Sequence, residues 1–258
     1  GMKSMYDVLV IGVGMAGVSA AHKAARAGKR VAVVDSRPYG GTCALRGCDP
    51  KKVLVGAAEL IDWQRRMSGK GVSGELTIDW QSLMQHKESI IGGIPGSMEK
   101  SLAAAGVETL HGSARFTGPK TLEVHGREYG AENILIAVGQ RPRTLSFPGA
   151  EKLITSTDFL ELAELPPRIV FIGGGFISME FAHIAVRAGA EVTVLQRGDR
   201  ILKGFDVELS HRLVGISREI GIDLRLNVEI TEVKQNRDDG SSYVVVTGDG
   251  KEIAGDLV

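Results

Sequence analysis

The sequence predicts an α/β chain in which one βαβ unit occurs twice. Three observations carry that reading. Apolar, strand-like runs lead into glycine-rich turns at two places, each turn is followed by a stretch with helical spacing, and the two places match in register 161 residues apart. "VLVIGVGMAGVSAAHKAARAGKRVAVVD" ends at Asp35 and "IVFIGGGFISMEFAHIAVRAGAEVTVLQ" ends at Gln196, so Gly12 aligns with Gly173, Gly28 with Gly189 and Asp35 with Gln196. Both copies read as strand, glycine turn, helix, Ala-Gly stop and a second Val-rich strand. A unit of this kind aims a helix N-terminus at a pyrophosphate. The expected architecture is therefore two Rossmann-like dinucleotide-binding units, each with added β-strands.

In the first copy the turn is complete. Gly12 permits the tight bend, Gly14 lets backbone approach phosphate, and Gly17 lets helix and strand pack closely. Asp35, about 20 residues further on, is placed to hydrogen-bond a ribose with a free 2′-hydroxyl, as in the adenosine half of FAD or NAD. In the second copy Gly173 and Gly175 remain, and Ser178, small enough for close packing, takes the third position. The second copy ends differently, in "VLQRGDRILK". A carboxylate there would repel a 2′-phosphate, whereas neutral Gln196 followed by Arg197, Arg200 and Lys203 would attract one. The second site is thus expected to prefer NADPH over NADH.

Between the repeats, "KKVLVGAAELIDWQRRM" has helical periodicity, as does "DWQSLMQHKESIIGGIPGSMEKSLAAAG" with a glycine interruption. The stretch from Thr109 to Gly139 alternates as short strands, with turns at Gly118-Pro119 and Gly126. The proline-bearing "QRPRTLSFPGAE" reads as a linker, which sets the expected units at 1–143 and 144–258. After the second βαβ come a helix near Asp206–Ile220, the strands "LRLNVEITEVK" and "YVVVTGD", and a last segment, "AGDLV", that stops partway through a strand.

Composition narrows the function. The chain has 258 residues, enough for two modest domains at roughly 150 residues each. Its 31 basic and 31 acidic residues balance, with no block of like charge, which argues against nucleic acid or an anionic membrane as partner. The N-terminal apolar run resembles a secretory signal only superficially, because Asp7 interrupts it and spaced glycines punctuate it. No apolar run approaches the ~20 residues that span a bilayer.

Both cysteines lie in "GGTCALRGCDP", at Cys43 and Cys48. A zinc site is the weakest explanation, since no second Cys/His pair lies near. Two inert buried thiols and a redox pair remain. In a regular helix, residues five apart have Cα atoms roughly 8–9 Å apart, and a disulfide needs about 4.4–6.8 Å. A bridge therefore requires a distorted helix, which Gly47 permits without demanding it.

The motifs "GGTCALRGCDPKK" and "IGGGFISME", with "HGSARF", "ILIAVGQRP" and "FPGAE" in order between and around them, resemble the flavin-dependent pyridine nucleotide–disulfide oxidoreductases, most closely the glutathione reductase-like members. The resemblance runs over essentially the whole chain. It implies FAD on the first unit and a nicotinamide nucleotide on the second. Hydride passes from NADPH to the flavin, and electrons go on to a Cys43–Cys48 redox disulfide. Cys48 is implied as the flavin-facing sulfur and Cys43 as the outward thiol that attacks a small-molecule or protein disulfide. Lys51 corresponds to the flavin-side lysine and Glu180 to its partner carboxylate. Ala16, Thr42, Ala114 and Gly139 match positions that approach FAD, and Ile177 lies in the nicotinamide motif. Phe176 stands where many members carry a tyrosine over the nicotinamide pocket.

Departures from the pattern shape the expectation. Met15 and His22 stand where glutathione reductases carry a serine and an arginine for the substrate carboxylate, so glutathione is not implied. Members continue into a closing FAD segment and a dimerisation domain whose His-Glu pair, from the partner subunit, is the acid–base group. His111, His125 and His211 are not in that motif. The chain is accordingly expected to be a C-terminally truncated form of a cytoplasmic, homodimeric, metal-free reductase. Mercuric reductase-like, dihydrolipoyl dehydrogenase-like and non-catalytic nucleotide-binding readings stand as alternatives, as does a monooxygenase or NADH oxidase that needs no cysteine pair.

Overall fold

The computed structural model describes residues 3–258. In chain order, β1 (Lys3–Ile11), α1 (Met15–Arg26) and β2 (Val31–Asp35) form the first repeat. α2 (Gly41–Arg46), α3 (Cys48–Met67), α4 (Trp80–Ile91) and α5 (Ile94–Ala104) follow, then β3 (Glu108–His111), β4 (Ala114–Gly118), β5 (Thr121–Val124) and β6 (Arg127–Ile136). Residues 137–149 carry no regular element, as the linker composition predicts. After a 3-10 turn at Ala150–Lys152 come α6 (Ser156–Phe159) and the second repeat, β7 (Arg168–Ile172), α7 (Phe176–Arg187) and β8 (Glu191–Leu195). α8 (Val207–Glu219), β9 (Ile222–Arg225), β10 (Ile230–Gln235), β11 (Tyr243–Thr247) and β12 (Glu252–Gly255) complete the described chain.

The chain divides into two compact units. One holds the residues up to Lys51 and Lys87–Arg141; the other holds Lys52–His86 and Pro142–Val258. The second therefore includes a segment that sequence order alone assigns to the first. Packing explains it, because Leu54, Ala58, Trp80 and Met84 share a core with Phe159, Phe181, Ile184 and Val192. Phe159 stacks on Phe181 at 4.4 Å and meets Trp80 edge-on at 5.9 Å, while Trp80 Nε1 donates to the Leu162 carbonyl at 2.8 Å.

The first unit is built on a six-stranded sheet in the order β3-β2-β1-β6-β5-β4. β3, β2, β1 and β6 run parallel, β6 pairing with β1 from Tyr129 to Ile136; β5 and β4 are antiparallel additions reached by tight turns. Along β2, Val31 and Val33 belong to one core cluster and Ala32 and Val34 to another. That is the period-two signature of a strand buried on both faces, and it accounts for the unbroken apolar run.

The second unit has a parallel sheet, β7-β8-β9, and a separate antiparallel sheet, β10-β11-β12. Beyond β12, Leu257 bridges Ile169 in parallel, and Asp256 grips Arg168 through both carboxylate oxygens at 3.0 and 2.7 Å.

Three helices of this unit are tied by a polar cluster. The Ser217 hydroxyl on α8 donates to the Leu213 carbonyl at 2.7 Å, so its single proton is committed. His183 Nε2, 2.9 Å from that oxygen, must then be the donor, and His183 Nδ1 accepts from Arg187 at 3.1 Å. Arg187 also donates to Asp62 on α3 at 3.1 Å, and Asp62 accepts from Arg66 at 2.6 Å. Burial, then the Arg187 charge, push the His183 imidazole down to about 4, against a partial upward pull from Asp62.

Between about 6.5 and about 4 the unfolded chain takes this proton and the folded chain does not, so stability is level above pH 7 and declines as pH falls through that window. In His183→Gln, which retains a donor for Ser217, thermal unfolding measured from pH 7 to pH 4 is expected to show a shallower decline. Parallel wild-type and variant profiles would contradict a neutral, locked imidazole.

Candidate dinucleotide and thiol sites

The first glycine turn is forced by close contact. Gly12 has φ +102°, and a Cβ there would lie 2.2 Å from the Ala137 carbonyl oxygen. A Cβ on Gly17 would lie 1.9 Å from the Gly12 carbonyl oxygen. Gly14 is the N-cap of α1 and supplies no capping side chain. Gly175 does the same for α7, whereas α8 is capped by Asp206 and α6 by Thr155. The two helices that follow the glycine turns thus begin with backbone N–H groups that no capping side chain engages, the arrangement that receives a phosphate. Beside Gly173 and Gly175 a Cβ would meet nothing within 4 Å, so that turn opens onto free space.

Asp35 is engaged by two backbone N–H groups. Its Oδ2 accepts from the Val13 N–H at 2.8 Å and its Oδ1 from the Arg37 N–H at 2.9 Å. At the equivalent place in the second copy, Gln196 Oε1 accepts from the Gly174 N–H at 2.8 Å. Each residue buttresses the middle of its own glycine turn. Gln196 Nε2 also donates to the Arg200 carbonyl at 3.1 Å, and Arg200 donates to the Lys203 carbonyl at 2.7 Å. The expected cationic cluster is therefore organised by its own loop. Arg200 is half-buried and spends a donor on the backbone, while Arg197 and Lys203 stand exposed.

The cysteines lie where a helix breaks. α2 ends at Arg46, Gly47 adopts φ −150° and ψ −110°, and α3 starts at Cys48. A Cβ on Gly47 would sit 2.9 Å from the Thr42 carbonyl oxygen, so glycine permits the close turn. Both cysteines are free thiols, without the bridge the resemblance implies. The Cys43 thiol is pushed up chiefly by its interaction with the Cys48 side chain, then by burial and the neighbouring charges of Cys48 and Asp49. Cys43 is half-buried and Cys48 exposed, the reverse of the access expected for an outward Cys43.

Gly41, at the start of α2, is where the thiol segment meets the first turn. A Cβ on it would lie 2.4 Å from the Gly14 Cα, and Gly40 donates to the Val13 carbonyl at 2.9 Å. Sequence reading passed over Gly41, although the Gly40-Gly41 doublet was its signal.

Of the remaining expected residues, Ala16 lies exposed in the first turn of α1, Thr42 exposed on α2, Ala114 at the head of β4 and Gly139 at φ +70° after β6. Lys51 occupies the first turn of α3, its N–H bonded to the Gly47 carbonyl at 3.1 Å. Phe176 and Ile177 open α7, 56% and 43% exposed. Glu180 follows on a face of α7 that, with Val55, Ala58, Glu59 and Asp62 of α3, lines a cleft of ≈ 530 Å³ in the second unit. Among the described residues, no His, Cys, Asp and Glu cluster is arranged to hold a metal ion, and no helix is long and apolar enough to cross a membrane.

A doubled glycine turn with a thiol pair joined to one copy defines a class of nucleotide-dependent redox protein, and the chain belongs to the pyridine nucleotide-disulphide oxidoreductase family, whose sequence model matches residues 6–258. It is 39% identical over 249 residues to a glutathione reductase of Burkholderia cepacia, covering 96% of this chain and 55% of that one. It is 34% identical to a dihydrolipoyl dehydrogenase of Mycoplasma pneumoniae, covering 90% and 52%. Among solved structures, the HOCl-induced flavoprotein disulfide reductase RclA from Escherichia coli superposes with a TM-score of 0.85 at 28% identity, over 98% of this chain and 55% of that one. The chain spans about half the length of the curated relatives it matches.

Asp35→Ala leaves the Val13 and Arg37 N–H groups without their acceptor. It is expected to lower stability by about 1–3 kcal/mol in nucleotide-free protein, measured by denaturant unfolding. An unchanged midpoint would confine Asp35 to ligand contact.

Proposed function

We propose that the chain is the nucleotide-binding part of an FAD-dependent NADPH:disulfide oxidoreductase. With FAD on the first unit and a nicotinamide nucleotide on the second, the Cys43/Cys48 pair would receive the electrons and would in turn reduce a small-molecule or protein disulfide. The observation that carries the reading is the side-chain-free contact of Gly41 with Gly14, which couples the thiol segment to the first nucleotide turn. The flavin, when bound, supplies the exchange of electrons between a hydride donor and a thiol pair.

The residues of this chain then have distinct tasks. Gly12, Gly14, Ala16, Gly17, Thr42, Ala114 and Gly139 leave backbone and small side chains against FAD, and Asp35 both holds the turn and faces its ribose. The exposed surface at Cys48 suits a sulfur that a flavin ring covers. Cys43 attacks a substrate sulfur, forming a mixed disulfide and releasing one thiol. Cys48 then attacks Cys43, releasing the second thiol and leaving the Cys43–Cys48 bridge to be reduced again. Lys51 would supply a positive charge at the flavin, and Glu180 is the carboxylate assigned to the same electrostatic task in this reading.

At the second turn, Gly173 and Gly175 leave room for the pyrophosphate, Phe176 and Ile177 cover the nicotinamide end, and Arg197 and Lys203 hold the 2′-phosphate. A cytoplasmic setting keeps such a pair reduced between turnovers, and the full-length protein is a homodimer in this reading.

FAD-reconstituted chain titrated anaerobically with NADPH should show flavin bleaching; a chain that cannot take up FAD, or whose flavin ignores NADPH, would refute the reading. Cys43→Ser should bleach normally yet lose disulfide reduction. The double variant Arg197→Ala/Lys203→Ala is expected to weaken NADPH by about 10- to 100-fold and leave NADH nearly unchanged, read by equilibrium titration of each nucleotide. Equal losses for both nucleotides would remove the 2′-phosphate assignment.

A further inference from the structure

Arg46 has no part in the tasks above. It ends α2, one helical turn after Thr42 and on the same face, between the two cysteines. Its side chain is half-buried, and among the described residues it makes no hydrogen bond and no ion pair. A guanidinium carries five N–H donors, and taking it partly out of water without a partner is costly.

The charges acting on Arg46 are those of Arg37 and of Asp35, the residue that holds the first glycine turn. Burial, then the like charge of Arg37, pull its proton affinity down, while Asp35 works the other way. Asp35 is already engaged by the Val13 and Arg37 N–H groups, so it offers Arg46 incomplete compensation. Arg37 is exposed. The Arg46 guanidinium thus has one committed carboxylate and one like charge acting on it, at the end of the helix whose first residue, Gly41, meets Gly14 without side chains. The neighbourhood is short of negative charge, and a dianionic ligand at the turn would supply it.

Building on the FAD assignment of the first unit, we propose that Arg46 binds the diphosphate of the dinucleotide held there, with Arg37 as an auxiliary cation, and so sets the grip on the cofactor. A guanidinium matches the geometry of a phosphate oxygen pair, and the charge-assisted contact is strongest where water is partly excluded. The binding surface then has two parts: the uncapped start of α1 faces the phosphates from one direction, and the last residue of α2 closes on them from another.

The test uses the 258-residue chain, freed of flavin and titrated with FAD by quenching of flavin fluorescence. Arg46→Gln should weaken FAD by about 10- to 100-fold, Arg46→Lys should recover part of the loss, and Arg37→Gln should cost less than Arg46→Gln. Inorganic pyrophosphate should compete with FAD less well in Arg46→Gln than in wild type. The flavin-free variants should melt with the wild type. An FAD affinity unchanged in Arg46→Gln overturns this inference while leaving the FAD assignment standing. A weakened affinity that tracks a lowered melting temperature of the flavin-free variant makes Arg46 a structural residue and overturns it too. Failure of the wild-type chain to bind FAD removes both readings.

Discussion

The backbone of Gly14 touches the backbone of Gly41, and the chemistry of the first unit depends on that contact. Gly14 starts α1 and Gly41 starts α2, so a meeting of two residues without side chains brings a helix start and a thiol-bearing segment to one place. A methyl group on Gly41 would fall 2.4 Å from the Gly14 Cα, well inside any tolerated contact. The positive φ of Gly41, +68°, adds a second reason that the position is closed to other residues. Gly40 reinforces the junction by donating to the Val13 carbonyl, the other side of the peptide unit region that Asp35 holds.

The two glycine turns share a support that does not depend on charge. Asp35 and Gln196 occupy equivalent positions and accept from equivalent backbone N–H groups, at 2.8 Å in each case. An amide oxygen performs this duty as well as a carboxylate oxygen, because the N–H needs only an acceptor. The charge at that position is therefore released from its structural role. The second turn uses the freedom to set neutral Gln196 beside Arg197 and Lys203.

A different principle organises the second unit. There α3, α7 and α8 are tied by Asp62, Arg187, His183 and Ser217, with every proton in the chain of contacts assigned to one acceptor. Such a cluster tolerates burial only while it is complete, and a second proton on the imidazole would set two donors face to face. Its apolar surroundings, Ala58, Met179, Ile184 and Leu213, supply most of the packing; the polar chain fixes the register of the three helices.

Local pattern was enough to read the doubled βαβ unit, the helices over 51–67 and 79–106, and the strands from Thr109 to Ile136, because period and punctuation are properties of consecutive residues. The break at Gly47 was likewise legible as a condition, since five residues of regular helix hold two sulfurs too far apart to bond. By itself the sequence determined the fold class, the family and the two glycine turns. Only the tertiary structure decided that 52–86 packs with the second unit, that Gly41 is the partner of Gly14, that Asp35 and Gln196 hold their turns, and that Arg46 is half-buried without a hydrogen-bond partner among the described residues. Each of these depends on residues far apart in the chain or on the direction of a side chain, and neither leaves a periodic trace: a contact between Gly14 and Gly41 is written as two ordinary glycines until the backbone folds them together.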